Sequence, residues 1–462
     1  MAVVVIKVLS VVFASFLVLV ASADTTYNIH EIPEEIISNG YPAERHHVVT
    51  EDGYILELHR IPRGKDGSSS NRPVVFLMHG LLSSSQAFIA IGPKSGVAYN
   101  LADAGFDVWM GNARGNRLSR NHTLLNPNDP SEKFQFFNFS FEEIGMTDVA
   151  AMVDYALEVS GQSQLHYIGH SQGGTVFLVL TSMKREYNEK IKSAHLLAGV
   201  GYQDHFPNKN ISQLALFTDI IYQMSLSLGI VELFPPNTTA QTNRIEPDFC
   251  AGDSRYAQIC EMLGIRELMA NDVNNDTEPK TEVAGASLKQ VAHFGQNIRD
   301  RSFRRWNFGA LKNLAVYGQL IPPKYDLSLI RTNVTMHYTV ADTLLDERDV
   351  LAMAADIPNA KVRKVAKDTF LHGDFVAADD CKELVTDYII EAMLQVEENL
   401  LQNKPTEAQA ILPNGDVISK DAADVIPLGT PIEKPSQSSS TNVASNLLLK
   451  TCLVFLSMVI LY

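Results

Sequence analysis

Short, uninterrupted apolar runs recur along this sequence, and longer helical patterns separate them. The clearest run is Val74 to Met78, five apolar residues without polar alternation. A strand has this pattern when both of its faces are buried, as in a parallel sheet covered by helices. Similar runs follow at Phe106 to Met110, Leu165 to Ile168, Ala194 to Ala198 and Thr335 to Val340. The alternation predicts an α/β fold with a mostly parallel central sheet and helices on both faces.

The segment from Gln203 to Asp326 interrupts this alternation. It contains helical patterns, scattered proline and glycine, and no clear strand. It is far too long for a simple connection between a strand and a helix. We therefore expect a mainly helical cap, inserted between a first core segment, residues 24–202, and a second, residues 327–400. A Pro/Ser-rich linker is expected at residues 401–446.

Both ends of the chain carry patterns typical of targeting segments. Residues 1–23 combine Lys7, an apolar run and Ala21-Ser22-Ala23, the small-residue pattern of a signal-peptide cleavage site. The run is too short to span the ~30 Å core of a bilayer, which argues against an anchoring helix. Residues 447–462 form an apolar tail behind a polar spacer. This pattern fits a glycosylphosphatidylinositol (GPI) signal with its attachment site between Ser436 and Asn442, a weak tail anchor, or an unprocessed appendix.

Glycosylation sequons and cysteines agree with a secretory route. Six Asn-x-Ser/Thr sites occur, at Asn121, Asn138, Asn210, Asn237, Asn275 and Asn333. Behind a signal peptide they indicate a glycoprotein. Cys250 and Cys260 either close a short disulfide loop or remain reduced, and Cys381 is expected to be a buried thiol. The expected destination is the exterior or the cell surface, with the lysosome as the alternative.

The charge of the chain limits its partners. With 38 basic and 53 acidic residues, the net charge is −15. An acidic surface repels phosphate backbones, so nucleic acid is not an expected partner. Neutral lipids carry no net charge and remain compatible with this surface.

The pentapeptide Gly169-His170-Ser171-Gln172-Gly173 matches the G-x-S-x-G motif, in which a nucleophilic serine sits on a sharp strand-to-helix turn. The motif alone is weak evidence. Its setting is stronger, because Leu165 to Ile168 is strand-like and the sequence from Thr175 onward is helical. The outer glycines permit a strained turn in which side chains would clash with the neighbouring strand and helix. Ser171 is therefore the candidate nucleophile.

A serine hydroxyl needs a base to act as a nucleophile. In proteins that carry this motif, the three catalytic residues follow one another along the chain in the order serine, acid, histidine. The acid is expected directly after a late strand. Asp342 is nearest to the end of the best late strand, and Asp346 and Asp349 are its rivals. Of the five histidines after Ser171, only His372 lies beyond Asp342. Position therefore selects His372 as the base.

A developing oxyanion needs two backbone N–H donors. One is expected from Gln172, the residue after the nucleophile. The other is expected from His79-Gly80-Leu81-Leu82, the loop after the first buried run, where Gly80 lets the backbone approach closely and Leu81 supplies the N–H. A simple strand-end turn is the competing interpretation, since glycine after a strand is common.

These motifs resemble the acid lipase family, which includes gastric and lysosomal acid lipases and many insect lipases. The resemblance covers roughly residues 28 to 395. It rests on Thr50 to Tyr54, His79 to Leu82, Gly105 to Asn116, Phe141 to Tyr155 with Glu143, Gly145 and Asp148, Gly169 to Gly173, Ala284 to Ser287, and Tyr317 to Gln319 before Pro322-Pro323. The Gly105 to Asn116 block is the most specific, because α/β-hydrolases at large do not share it.

The resemblance implies the α/β-hydrolase fold and hydrolysis of triacylglycerols or sterol esters through an acyl-serine intermediate. It places Ser171, Asp342 and His372 on the family's triad, and Leu81 and Gln172 on its oxyanion donors. It implies a neutral lipid substrate at a lipid–water interface and no metal or organic cofactor, and we expect a monomer. Two other functions stay open: a carboxylesterase for soluble esters, and a catalytically inactive, surface-anchored binding protein.

Overall fold

The computed structural model describes residues 32–67, 71–235 and 283–402. These residues contain a large mixed sheet and a separate two-stranded sheet formed by Glu232–Leu233 and Ala286–Ser287. In chain order the strands are β1 (Glu44–Val49), β2 (Tyr54–Ile61), β3 (Val74–Met78), β4 (Asp107–Gly111), β5 (Asn121–His122), β6 (Leu165–His170), β7 (Ile191–Leu197), β8 (Glu232–Leu233), β9 (Ala286–Ser287), β10 (Asn333–Tyr338) and β11 (Ala360–Lys364). The order across the sheet is β1-β2-β4-β3-β6-β7-β10-β11, and β5 pairs with β2.

Most of this sheet is parallel. All neighbouring pairs from β4 to β11 run in the same direction, whereas β1 and β2 form an antiparallel hairpin at one edge. Strands β3, β4 and β6 are buried at every position, which requires cover on both faces of the sheet. The predicted α/β-hydrolase architecture is confirmed.

Helices connect these strands. They are α1 (Ile32–Ser38), α2 (Gly92–Ser95), α3 (Val97–Asp103), α4 (Lys133–Phe136), α5 (Phe141–Glu143), α6 (Ala150–Ser160), α7 (Gln172–Met183), α8 (Tyr187–Lys190), α9 (Lys209–Ala215), α10 (Thr218–Ser227), α11 (Leu288–Asp300), α12 (Ala310–Tyr317), α13 (Glu347–Asp356), α14 (Asp374–Ala377) and α15 (Asp387–Gln402). A π-helical segment, Ile144–Val149, joins α5 to α6, and a second, Lys382–Thr386, precedes α15. A capping box of Ser140 and Glu143 begins α5.

The segment predicted as a cap lies between β7 and β10. Its described part is mostly helical, with α9 to α12, but β8 and β9 pair as an antiparallel ribbon. The sequence shows no clear strand in this segment, because a two-residue strand has no periodicity to detect. Ala284 donates its N–H to Leu82 O and accepts from Arg117 N, and Ser287 Oγ donates to Phe139 O. These bonds attach the segment to loops of the core; its exact bounds stay a prediction.

Some of the residues that predict a secretory route lie within the described ranges. Asn121, Asn138, Asn210 and Asn333 are all solvent-exposed, as glycosylation requires. Cys381 is buried as expected, and burial raises the pKa of its thiol to about 12. No helix within these ranges is both long and apolar enough to cross a bilayer. The signal peptide, Asn237, Asn275, Cys250, Cys260, the tail and nearly all of the linker lie outside the described residues.

Candidate active site

The carboxyl ends of the parallel strands meet at one edge of the sheet. Met78, the last residue of β3, lies opposite Gly169 of β6 and Gly111 of β4. His170 at the end of β6 lies opposite Leu197 of β7. In open α/β sheets the functional groups gather on the loops that leave this edge. Four of the five predicted catalytic and oxyanion residues lie on such loops, and the fifth, Gln172, is the first residue of α7.

Ser171 occupies a sharp turn between β6 and α7, with φ 52° and ψ −115°. A left-handed backbone at a non-glycine residue costs about 1–3 kcal/mol, so the surroundings must hold it. The Ser171 N–H donates to Leu197 O at 2.9 Å. A Cβ on Gly173 would lie 2.1 Å from Met78 O, and one on Gly169 would lie 2.5 Å from the Gly173 backbone. The turn therefore requires both glycines, and it leaves Ser171 partly exposed.

Asp342 and His372 form a buried pair beside this turn. Nδ1 of His372 lies 2.7 Å from Oδ2 of Asp342, and both side chains are buried. Because a carboxylate accepts hydrogen bonds, Nδ1 carries the proton, and Nε2 of the neutral ring is left with a lone pair. Nε2 is buried and has no hydrogen-bond partner among the described residues. The ring is therefore in the tautomer that a proton acceptor needs.

Asp342 contacts His372, whereas its rivals Asp346 and Asp349 bind other groups. Oδ1 of Asp342 accepts two backbone N–H groups of the following turn, at 2.7 and 3.0 Å, which leaves Oδ2 for His372. Asp346 caps the N-terminus of α13. Asp349 is buried and lies 2.8 Å from Nδ1 of His205. Of the three carboxylates, Asp342 is therefore the one that contacts His372.

His170, the second residue of the pentapeptide, contacts the loop of the base. Its Nε2 donates to the backbone oxygen of His372 at 2.9 Å, and the two rings lie 5.3 Å apart. Burial, together with the neighbouring His372 ring, lowers the pKa of His170 to about 3, so this ring stays neutral in acidic surroundings. The sequence assigned His170 no role of its own, because the motif leaves this position open and the contact spans 202 positions.

The loop after β3 passes directly beside the nucleophile. A Cβ on Gly80 would lie 3.2 Å from Ser171 Cβ and 3.6 Å from Oγ. Within the described ranges, the N–H groups of Leu81 and Gln172 donate no backbone hydrogen bond. Unpaired N–H donors next to a nucleophile are what an oxyanion requires.

The side chain of Gln172 connects the nucleophile turn to the cap segment. Its Nε2 donates to Oε1 of Gln290 on α11 at 2.9 Å, and both side chains are buried. Oε1 of Gln172 has no partner in the part of the chain that is described. Sequence reasoning missed Gln290, because this contact joins residues 118 positions apart and follows no local pattern.

Known proteins resemble this chain over most of its length. Residues 32–92 match the family described as a partial alpha/beta-hydrolase lipase region, and residues 73–228 match the alpha/beta hydrolase fold. Lipase 3 of Drosophila melanogaster is 40% identical, over 80% of this chain and 94% of that protein. Lipase 1 of Drosophila melanogaster is 36% identical, over 83% of each. Human gastric triacylglycerol lipase is 32% identical, over 80% of this chain and 91% of that protein.

Proposed function

Since the chain belongs to the acid lipase family and is a lipase-type serine hydrolase of the α/β-hydrolase fold, we propose that it cleaves neutral lipid esters with Ser171 as the nucleophile. The observation that carries the assignment of residues is the buried Asp342–His372 pair, in which Nδ1 faces the carboxylate and Nε2 of His372 has no hydrogen-bond partner among the described residues. The similarity to gastric triacylglycerol lipases supports triacylglycerols as substrates. Sterol esters are the second candidate within this class.

In the proposed reaction, Nε2 of His372 accepts the proton of Ser171 while Oγ attacks the ester carbonyl carbon. Asp342 orients the imidazole and stabilises the imidazolium that forms. The N–H groups of Leu81 and Gln172 stabilise the oxyanion. The alcohol leaves with the proton of His372, and the acyl group remains on Ser171. Water, deprotonated by the same imidazole, then releases the fatty acid and restores the serine.

We expect activity to rise sharply when the ester forms a separate phase. Leu311, Leu314, Leu320 and Ile321, on and just after α12, are exposed apolar side chains, and such surface favours contact with lipid. Rates should be measured on a long-chain triacylglycerol, a short-chain glycerol ester and a cholesteryl ester, each from below to above its solubility limit.

Three outcomes separate the candidate functions. A rise at the solubility limit supports a lipase acting at an interface. A full rate on dissolved ester, with no rise at that limit, would indicate a carboxylesterase. An absence of turnover on every ester would contradict hydrolysis and favour a binding protein.

The proposal extends to the route of the protein through the cell. The signal pattern of residues 1–23, the exposed sequons and the apolar tail of residues 447–462 support secretion, N-glycosylation and a GPI anchor. In eukaryotic cells, an N-glycan amidase should lower the apparent mass, and phosphatidylinositol-specific phospholipase C should release the protein into the medium. The matched control, truncated after residue 446, should appear in the medium without the phospholipase. Full-length protein that stays cell-bound after this treatment would contradict the GPI anchor.

A further inference from the structure

We propose that His79 is a positioning residue of the oxyanion hole: it orients the Gly80–Leu81 peptide, and the loop of residues 112–116 fixes the tautomer that His79 needs. This inference rests on the proposed function, because it assigns a role within the same reaction. It also gives a role to the Gly105 to Asn116 block, whose residues supply no group to the proposed chemistry.

The hydrogen bonds around His79 select one tautomer. Ala113 donates its N–H to Nε2 at 3.1 Å, and Nδ2 of Asn116 lies 3.3 Å from the same nitrogen. A backbone N–H can only donate, so Nε2 is unprotonated and Nδ1 carries the hydrogen. Nδ1 lies 2.7 Å from the carbonyl oxygen of Gly80, which can only accept. Burial lowers the pKa of His79 to about 4, which keeps the ring neutral and agrees with these bonds.

Two hydrogen bonds to the carbonyl oxygen of Gly80 hold the next amide in one direction: a short one from His79 at 2.7 Å and a longer one from the Ser83 N–H at 3.3 Å. In a trans peptide the C=O and N–H groups point in opposite directions, and the described residues contain no cis peptide. With the Gly80 oxygen bound to the imidazole, the Leu81 N–H points away from His79. Gly80 lies against Ser171, and the Leu81 N–H donates no backbone hydrogen bond within the described residues, so we place this N–H at the nucleophile. If the peptide rotated, a carbonyl oxygen would replace the N–H there and would repel an oxyanion.

The loop that supplies the Ala113 N–H is itself held by a buried ion pair. The backbone N–H and Nε of Arg114 donate to the carboxylate of Asp148, at 2.9 and 2.6 Å. Both side chains are buried, and Asp148 lies in the π-helical segment that packs on α7. A buried charge cannot leave its partner without a large desolvation cost, so the loop keeps its place beside His79.

Two substitutions test the two hydrogen bonds of the His79 imidazole one at a time. In His79→Asn the side-chain amide nitrogen lies near the former Nδ1 and can still donate to Gly80. In His79→Gln the amide oxygen lies near the former Nε2 and can accept from Ala113, but the bond to Gly80 is lost. We expect His79→Gln to lower kcat about 100-fold with little change in KM, because one misplaced oxyanion donor has an effect of about 10²–10³. We expect His79→Asn to stay within about tenfold of wild type, because it keeps the donor.

Inhibition by an alkyl boronic acid is a readout that would not change if His79 had only a structural role. The adduct of this acid with the serine carries negative charge in the oxyanion hole, so its inhibition constant should rise in His79→Gln in parallel with the loss of kcat/KM. The Tm of each variant is measured together with its inhibition constant.

Wild-type kcat and boronate affinity in both variants would overturn the proposal. Equal losses in both variants that follow a lower Tm would overturn it too, because His79 would then be a structural core residue. Failure of the wild-type enzyme to hydrolyse any ester would instead overturn the proposed function, and Ser171→Ala defines the background of the assay.

Discussion

Replacing Ser171 with alanine should lower kcat by about five to six orders of magnitude, the loss seen when the nucleophile of a serine hydrolase is removed. Oγ is the atom that forms the acyl bond in the proposed reaction, and water in its place lacks both position and activation. Stability should change little, because Ser171 is partly exposed and alanine can keep the backbone bond to Leu197. Hydrolysis of a triacylglycerol emulsion and the Tm are the two measurements.

A matched control is Ser182→Ala. Ser182 lies on α7, where its hydroxyl donates to Leu178 O, and it has no place in the proposed chemistry. This variant should retain wild-type kcat and should react with a fluorophosphonate probe, whereas Ser171→Ala should not react. A Ser171→Ala enzyme that keeps a substantial part of the wild-type rate would exclude Ser171 as the nucleophile.

The sheet could be predicted from sequence because burial on both faces determines the composition of each strand. The run Val74 to Met78 coincides with β3. The prediction Thr335 to Val340 lies two residues late at both ends, because β10 begins at Asn333, which is exposed and lacks an apolar signal, and ends at Tyr338. Runs of apolar residues mark where a strand is buried, so they show that a strand is present but do not determine its exact bounds.

The pairing of Asp342 with His372 could also be predicted, because chain order leaves few residues to choose from. Asp342 and His372 are 30 positions apart and form the expected bond. The bonds of His79 with the Ala113 N–H and of His170 with the His372 carbonyl could not be predicted, because each joins loops that follow different strands. A sequence shows which side chains are present, but the direction of a peptide group follows from how those loops pack.

The second substitution with a large expected effect on kcat is at Asp342. Asp342→Asn should lower kcat by about 10⁴, with the fold intact, because it reverses the tautomer of His372. Oδ1 of Asp342 accepts two backbone N–H groups, so the oxygen of an asparagine amide must take that place. The amide NH₂ then faces Nδ1 of His372, which can only accept from it. The imidazole proton moves to Nε2, and Nε2 can no longer take the proton of Ser171.

Asp346→Asn is the control that makes this result specific. Asp346 caps α13, and asparagine is an equally good capping residue, so kcat should stay within about twofold of wild type. The two variants have the same chemical change four positions apart, and they differ in whether the carboxylate contacts His372. Steady-state rates on one emulsion, with Tm for both proteins, distinguish them. A full rate in Asp342→Asn with a loss in Asp346→Asn would mean that the bond at 2.7 Å is structural, and the acid would have to be assigned again.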